Sequence, residues 1–310
     1  MRVRSRDLPW FPGAILAVLM FTAIFAAYLA PQSPTAGDIT AKLIPPVWME
    51  RGSSEHPLGT DRFGRDVLSR IIYGSRISLL VSLIAIGVAG TFGTLLGLIS
   101  GYRGGLTDVF LMRLTDIALS LPIILIAVVM VAVSEPSFRN VIIVIALLLW
   151  PRFSRQIRGE TLAVKEQDFV ALAVVAGRSS TWIIARHIFP NVVPTLLVIS
   201  TLQVGYVILL EGTLSFLGVG VPPPNPAWGL MIADGRGFLA TAWWISFLPG
   251  LAMLLTVLAV NLMGDWLRDH LDPKLRQLGA RATVLESAAV SVEPAIVEAP
   301  VSGAAAGDGD

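Results

Sequence analysis

The sequence predicts an all-α membrane protein, built as a bundle of six transmembrane helices. Among its 310 residues, 54% are hydrophobic, 15% are charged and the mean hydropathy is +0.72, whereas about a quarter of the residues in soluble domains are charged. The charged residues gather between long apolar blocks, as in chains that cross a bilayer several times. The net charge of +1 indicates no nucleic-acid partner, and the absence of cysteine excludes disulfides, thiolate metal sites and thiol nucleophiles.

The first predicted span, residues 11–30, carries no charge and follows Arg2, Arg4 and Arg6. A cleaved signal peptide is the alternative interpretation. Its apolar core would hold about 7–15 residues and end at a small-x-small site, and here Tyr28 occupies one of the two small positions. We therefore expect an uncleaved anchor.

The second and third spans are predicted at residues 77–100 and 107–134. Within the second span, glycines recur every three or four residues, which favours close packing against another helix; they are Gly87, Gly90, Gly93 and Gly97. Pro122 is expected to kink the third span, as a helix inside a bundle can tolerate.

The fourth span contains few consecutive apolar residues. Residues 141–150 supply only about 15 Å of helix, against a hydrocarbon core of about 30 Å. The predicted span therefore covers residues 137–157 and passes Pro151, which puts Arg152 and Arg155 at the membrane interface or against protein. Spans at residues 192–217 and 245–263 complete the six.

The six spans put both termini on the same side of the membrane. The positive-inside rule favours the cytoplasmic side, because the opposite orientation would export the basic stretch 152–186. Residues 1–10 then form a cytoplasmic N-terminal segment. Residues 277–310 show no apolar period and are predicted to be a disordered cytoplasmic tail.

Residues 160–191, between the fourth and fifth spans, are too many and too regularly patterned for a simple turn. Apolar residues at spacings of three and four predict a helix over 162–176. Gly177 is expected to stop that helix at its C-terminus.

A second, short amphipathic helix is predicted over residues 182–189. Pro190 is expected to close it, and Ser179, Ser180 or Thr181 can cap its start. Such a helix lies on the lipid surface, caps its own bundle or docks in a groove of a cytoplasmic partner. The pattern by itself leaves these three alternatives open.

This loop contains the stretch Asp168-Phe-Val-Ala-Leu-Ala-Val-Val-Ala-Gly177, followed by Arg186-His-Ile-Phe-Pro-Asn191. The spacing of Ala173, Gly177 and Pro190 resembles that of the EAA loop in binding-protein-dependent permeases of ABC importers. The Glu and the first Ala of that motif are replaced here by Ala171 and Leu172.

Three further stretches follow a fixed order along the chain. They are His56-Pro-Leu-Gly-Thr-Asp61 with Gly64-Arg-Asp-Val-Leu-Ser-Arg70, then Leu214-Ser-Phe-Leu-Gly-Val-Gly220 leading into Pro222 and Trp228-Gly229, and finally Asn261-Leu-Met-Gly-Asp-Trp-Leu-Arg-Asp-His-Leu-Asp-Pro-Lys-Leu-Arg276. These stretches resemble the dipeptide, oligopeptide and nickel branch of the same permeases.

The resemblance implies a six-helix bundle of the type I ABC importer permease (MetI-like) kind over residues 11–276. Such a subunit lies in the bacterial inner membrane and forms half of the pathway for dipeptides, oligopeptides or related small solutes. The implied partners are a second, homologous permease, two ABC ATPase subunits and an extracytoplasmic substrate-binding protein. The chain has no G-x-x-x-x-G-K-[ST] motif, so ATP hydrolysis is expected in a partner, and neither a cofactor nor enzymatic activity is expected of this chain.

The resemblance also implies that the segment 168–191 transmits movement of the ATPases to the spans as a rigid lever. The residues expected to take part in coupling are Asp168, Ala173, Gly177, His187, Pro190 and Asn191. Asp168 lies one turn before the position of the missing Glu, on the same helix face. We therefore hypothesise that Asp168 replaces that residue.

Charged residues within the spans have separate expected roles. Glu211, late in the fifth span, either lines the translocation path near the outer gate or is satisfied by a hydroxyl or backbone donor inside the bundle. Arg113 and Asp116 are expected to pair at the inner interface. The proline-rich loop 218–244 and the segment 56–76 are expected to form a docking surface for the binding protein or a simple cap.

Two other classes of protein compete with an importer subunit. A stand-alone, ion-coupled secondary transporter needs a buried carboxylate relay or an unwound binding helix at the bilayer midplane, and Glu211 alone supports it poorly. A membrane-anchored scaffold would not need six spans. The three histidines, His56, His187 and His270, lie far apart without ligand spacing, so no metal site is expected.

Overall fold

The computed structural model describes residues 9–133 and 137–271. These residues are mostly α-helical, and the described part of the chain has an isolated bridge between Thr60 and Asp66 in place of a β-sheet. The predicted tail, residues 277–310, and most of the predicted N-terminal segment 1–10 lie outside the described residues.

The described chain forms eleven α-helices. The first six are α1 (Trp10–Ile24), α2 (Ala26–Leu29), α3 (Val67–Arg103), α4 (Gly105–Ser120), α5 (Ile123–Val133) and α6 (Phe138–Lys165). The other five are α7 (Asp168–Val175), α8 (Ser180–Ile183), α9 (Phe189–Phe216), α10 (Trp228–Gly235) and α11 (Trp244–Leu271). A π-helical turn, Ile184–Ile188, joins α8 to α9, and short 3₁₀ turns occur at Ile39–Ala41 and Arg236–Phe238.

Within the described residues, four continuous helices are long and apolar enough to cross a membrane: α3, α6, the run Ser180–Phe216 that joins α8 to α9, and α11. Helices α4 and α5 form a fifth apolar unit, bent by 84°. Helix α1 is a shorter apolar helix that α2 extends, and together they form the sixth apolar unit. The predicted six-helix bundle is therefore confirmed, while the membrane boundaries of the six spans stay predictions.

The kink predicted at Pro122 is a full break between two helices. Helix α4 ends at Ser120 and α5 begins at Ile123, with Leu121 extended at a ψ of 136°. A proline disfavours the helical conformation of the residue before it and donates no N–H of its own. Both effects act at this junction.

The glycines of α3 let it approach α6 closely. A methyl group at Gly97 would lie 2.7 Å from the Ser154 carbonyl oxygen, and one at Gly93 would lie 3.0 Å from the Ser154 nitrogen. At Gly87, in contrast, a methyl group would meet nothing within 4 Å among the described residues. A methyl group at Gly90 would lie 3.5 Å from the Phe153 ring, so the predicted packing face is confirmed at Gly90, Gly93 and Gly97 and is wrong at Gly87.

Helix α6 passes Pro151 without interruption, as the fourth span required. Its start is capped by Ser137, whose hydroxyl oxygen accepts a hydrogen bond from the Asn140 backbone nitrogen at 3.1 Å. The largest apolar core lies where α6 meets α3 and α9, and it includes Ile145, Leu149 and Phe153. Burial of α6 on several sides offsets the backbone hydrogen bond that Pro151 removes.

Helix α3 connects the two ends of the bundle. At one end, which we call the loop end, Leu98 contacts the buried side of α7 and α8. At the other end, residues 30–66 and 218–243 form a cover that we call the cap. There the Trp228 indole donates to the Ile71 carbonyl at 3.0 Å and the Trp244 indole donates to the Thr60 carbonyl at 3.1 Å.

Candidate functional site

The loop between α6 and α9 begins with a break that the sequence pattern did not indicate. The predicted helix 162–176 is instead two helices, because α6 ends at Lys165 and α7 begins at Asp168. Gln167 between them is extended, with a ψ of 146°. The turn allows Val170 and Ala173 to pack back against the bundle, so burial of these side chains overrides a locally helical pattern.

Gly177 ends α7 as predicted. Its φ is +71°, and its backbone nitrogen donates to the Val174 carbonyl at 3.0 Å, while the Arg178 nitrogen donates to the Ala173 carbonyl at 3.2 Å. This pair of hydrogen bonds is the Schellman motif, which needs a residue that tolerates a left-handed backbone. Ser179 then caps α8 by accepting a hydrogen bond from the Trp182 nitrogen at 3.4 Å.

The prediction that Pro190 closes the second short helix is wrong. Pro190 lies in the first turn of α9, and helical structure continues from Ser180 to Phe216. The π-helical turn before it widens the helix, with the Phe189 nitrogen bonded to the Ile184 carbonyl. A wider turn relieves the conflict between the proline ring and the preceding turn, so α8 and the fifth span form one rod.

The buried side of the loop attaches it to three spans. Ala173 packs with Ile183 and Ile188 in an apolar cluster that also holds Leu98 of α3, Ile157 of α6 and Val192 of α9. A displacement of α7 and α8 therefore moves side chains that are packed directly on the spans.

The opposite side of the loop carries exposed apolar side chains. Leu172 is 69% exposed and Val175 is 86% exposed, and both share a face of α7 with the exposed Asp168. Trp182 on α8 is also exposed. Clustered apolar exposure of this kind fits contact with a partner protein or with the lipid surface, so both of those alternatives stay predictions. These exposed side chains of α7 and α8 point away from the bundle.

His187 and Asn191 fix α7, α8 and α9 to one another. The His187 ring lies 5.8 Å from the Phe169 ring and 5.1 Å from the Trp182 ring. The Asn191 side-chain amide donates to the His187 carbonyl at 2.6 Å. The structure thus brings His187 and Asn191 into contact and packs Ala173 in the same loop, whereas Asp168 and Pro190 are exposed and Gly177 ends α7; the roles of all six residues in coupling stay predictions.

Glu211 is fully buried in α9, on the cap side of the bundle. The Ser215 hydroxyl donates to its Oε1 at 2.6 Å and in turn accepts a hydrogen bond from the Val221 nitrogen at 3.2 Å. Its other oxygen, Oε2, has no hydrogen-bond partner among the described residues. The hydroxyl donor expected for the bundle-internal alternative is therefore Ser215, while a role in the translocation path stays a prediction.

The ion pairs of α4 differ from the one predicted. Asp116 pairs with Arg155 of α6 at 2.5 Å, so the predicted pairing of Asp116 with Arg113 is wrong. Asp108 accepts two hydrogen bonds from Arg158 of α6, at 2.5 and 2.6 Å, which sequence analysis missed. No local spacing connects residues that are 39 and 50 positions apart.

The charged residues of the segment 56–76 hold the cap together. Asp61 accepts a hydrogen bond from the Arg65 side chain at 2.6 Å, and both residues are buried. His56 lies 3.1 Å from Asp66, and Arg62 reaches Asp234 of α10 at 2.8 Å. This segment and the loop 218–244 therefore form a cap over the bundle, and binding-protein docking there stays a prediction.

Among the described residues, no group of three or more His, Asp or Glu side chains is arranged to hold a metal ion.

Comparisons with known proteins agree with this architecture. The family model for "Binding-protein-dependent transport system inner membrane component" matches residues 93–277. The "Dipeptide transport system permease protein DppC" of Haemophilus influenzae is 44% identical over 84% of this chain and 89% of its own length. The "Di/tripeptide transport system permease protein DppC" of Pseudomonas aeruginosa is 42% identical over 85% and 88%.

A solved structure shares the fold at low sequence identity. In an inward-facing form of the MetNI methionine ABC transporter, one chain superposes with a TM-score of 0.54 and 13% identity. The match covers 66% of this chain and 96% of that chain. At this identity the likeness shows the arrangement of helices alone.

Proposed function

Because the chain belongs to the family of binding-protein-dependent transport system inner membrane components and is a permease subunit of an ABC importer, we propose that its cargo is a dipeptide or another short peptide. The observation that carries this proposal is the identity of 40–45% to dipeptide permeases over at least 84% of the chain. The similarity therefore includes the cap, the spans and the loop.

The family works with other ABC subunits, and the partner set of this chain is the second part of the proposal. A homologous permease completes the pathway, two ATPase subunits supply the energy, one of them bound to the exposed side of α7 and α8, and an extracytoplasmic protein delivers the peptide to the cap. The exposed Leu172 and Val175 support the ATPase contact, because they leave an apolar surface uncovered on this chain. The chain itself catalyses no reaction, in keeping with the absence of a P-loop motif from its sequence.

Coupling follows from the continuity of α8 with α9. Closure of the ATPase pair displaces α8, and the rod from Ser180 to Phe216 carries that displacement into the fifth span. The apolar cluster around Ile183 and Ile188 passes the same movement to α3 and α6. The loop end then faces the cytoplasm with both termini, as the positive-inside rule favours.

Uptake measurements test this function. A strain lacking the chain is supplied with it on a plasmid, and accumulation of a radiolabelled dipeptide is measured with the partner ATPases intact or inactivated in their P-loops. Uptake that requires both the chain and active ATPases is the expected result. If the chain alone, in liposomes, accumulates the dipeptide under a proton or sodium gradient, the chain is an ion-coupled transporter and the proposed function is wrong.

A further inference from the structure

One face of α6 is unusually polar for a membrane span. It carries three arginines spaced three residues apart, Arg152, Arg155 and Arg158. Arg158 is held by Asp108 of α4 and Arg155 by Asp116 of α4. We call these five residues the polar face.

The Asp116–Arg155 pair of the polar face lies inside the predicted second span, while the Asp108–Arg158 pair lies at its predicted end, where the Ser100 hydroxyl donates a hydrogen bond to Asp108. Ser154, next to Arg155, contacts α3 between Gly93 and Gly97, which puts Arg155 at the level of Leu95. Leu95 is eight residues from the end of α3 at Arg103, or about 12 Å along the helix axis, and about 7 Å inside the predicted end of the span at Ser100.

The other side of the bundle at this level is apolar. Leu95 is exposed on α3, in a stripe with Val88 and Ile99, as expected of a surface that meets lipid. Asp116 and Arg155 are each 56% exposed. An arginine can extend its guanidinium toward the interface, but an aspartate with one methylene group cannot, so a lipid environment for this pair would be costly.

An open cleft of about 460 Å³ lies between α4 and α6 beside this ion pair. It is lined by charged residues of the polar face together with Val109, Met112 and Arg113. Charged groups at membrane depth face water or protein, and a cleft of this size holds water.

We propose that the polar face and its cleft line the water-filled part of the translocation path nearer the loop end, opposite the second permease subunit. This inference rests on the proposed function, because a path shared by two permeases supplies the water that the cleft requires. It assigns to this chain a surface of the path that contains α4 and α6.

The same surface is electropositive. Arg152 has its guanidinium 4.1 Å above the Tyr206 ring of α9, and Arg113 lines the cleft, whereas the carboxylates on this face are those of Asp108 and Asp116. The cleft itself is lined by three arginines and two aspartates, which leaves a net charge of +1. A peptide passes this surface with its C-terminal carboxylate attracted to it.

Cysteine labelling tests the inference, because the chain has no cysteine of its own. The reporter is Met112→Cys, which lines the cleft and removes no charge, and the control is Leu95→Cys on the exposed apolar stripe of α3. Each variant is assembled with the partner subunits in inside-out membrane vesicles and treated with a charged, membrane-impermeant methanethiosulfonate. The modified fraction of this chain is then counted by mass spectrometry.

Labelling at residue 112 at least tenfold faster than at residue 95 is expected. Equal or slower labelling overturns the inference, and Val109→Cys, also in the cleft, serves if the first variant fails to assemble. A sulfonate reagent should react severalfold faster at residue 112 than a trimethylammonium reagent, after correction for their rates with a free thiol. Preference for the cation overturns the carboxylate assignment.

Peptide uptake by the wild-type complex separates the two proposals. If the wild-type complex takes up peptide in an ATP-dependent manner but the cysteine of the Met112→Cys variant does not react, the proposed function stands and the assignment of the polar face to the path is wrong. Absence of peptide uptake by the assembled wild-type complex rejects the proposed function itself.

Discussion

Gly177 ends α7 with a backbone conformation that other residues adopt only at a cost. Its φ of +71° lies in the left-handed region, where a residue with a Cβ atom is less stable by about 1–2 kcal/mol. Gly177→Ala should therefore lower the melting temperature of the purified chain in detergent and reduce dipeptide uptake, because the angle between α7 and α8 is set there.

Gly159→Ala is the matched control for that experiment. Gly159 lies inside α6, and a methyl group there would meet nothing within 4 Å among the described residues. Alanine is the better helix former, so this variant should be as stable as wild type or slightly more stable. If both alanine variants behave alike, the left-handed backbone at Gly177 is not what limits substitution.

Asp168 is the exposed carboxylate that we expect to replace the missing Glu of the loop motif. Asp168→Asn removes the charge and keeps the shape of the side chain. An exposed ion pair contributes up to about 1 kcal/mol, so retention of the ATPase subunits during affinity purification should fall by up to roughly fivefold.

The neighbouring carboxylate Glu166 provides the comparison. It is exposed and lies in the break between α6 and α7, outside the helix face that Asp168 shares with Leu172. Glu166→Gln should leave ATPase retention unchanged. Full retention by Asp168→Asn would contradict the replacement hypothesis.

At the scale of elements, the contact between α3 and α6 depends on small residues. A leucine at Gly97 would collide with the Ser154 carbonyl, since even a methyl group would lie 2.7 Å away. Overpacking of this kind costs about 1–3 kcal/mol or more. Gly97→Leu should therefore lower the melting temperature and the fraction of monodisperse chain in size-exclusion chromatography.

Gly87→Leu, on the same helix, should be tolerated. A methyl group at this glycine meets open space within the described structure. Loss of monodisperse chain with leucine at residue 87 as well would mean that a partner helix packs on that face.

The continuous helix formed by α8 and α9 differs from the stopped helix that the sequence predicted for the coupling segment. A helix closed by Pro190 would pass force through a flexible joint. The π-helical turn Ile184–Ile188 keeps the helix continuous, so rotation of α8 also rotates the start of the fifth span. Helix α7, separated by Gly177, keeps an independent orientation.

At the scale of the whole molecule, the cap ties the two halves of the chain together. Arg65 bonds Asp61 and also reaches Asp234 at 3.4 Å, and Arg70 lies 3.7 Å from Asp61. Asp61→Asn would remove the carboxylate that partly neutralises the two buried arginines, Arg65 and Arg70. Breaking a buried pair costs about 3–5 kcal/mol, so the melting temperature should fall markedly.

The control for the cap is Arg62→Gln. Arg62 is half exposed, and Asp234 keeps its contact with Arg65 when Arg62 is replaced. This variant should stay within about 1 kcal/mol of wild type. Equal melting temperatures for Asp61→Asn and wild type would show that the buried charges contribute little to the cap.

The sequence by itself determined the features that depend on neighbouring residues. Long apolar runs predicted the six spans, because any helix in a bilayer must satisfy its own backbone and present apolar side chains. The stop at Gly177 was also predictable, since a helix end needs a left-handed residue at that point in the chain. Glycine spacing predicted part of the α3 packing face, at Gly90, Gly93 and Gly97.

Only the tertiary structure decided which distant residues meet. The partner of Asp116 is Arg155, and Arg65 meets Asp234 across 169 positions, distances over which no local pattern operates. The continuation of helix through Pro190 and the break before Asp168 also depend on burial against α3 and α6. Local sequence sets what each segment prefers, while packing and charge pairing between segments select the conformation that the whole chain adopts.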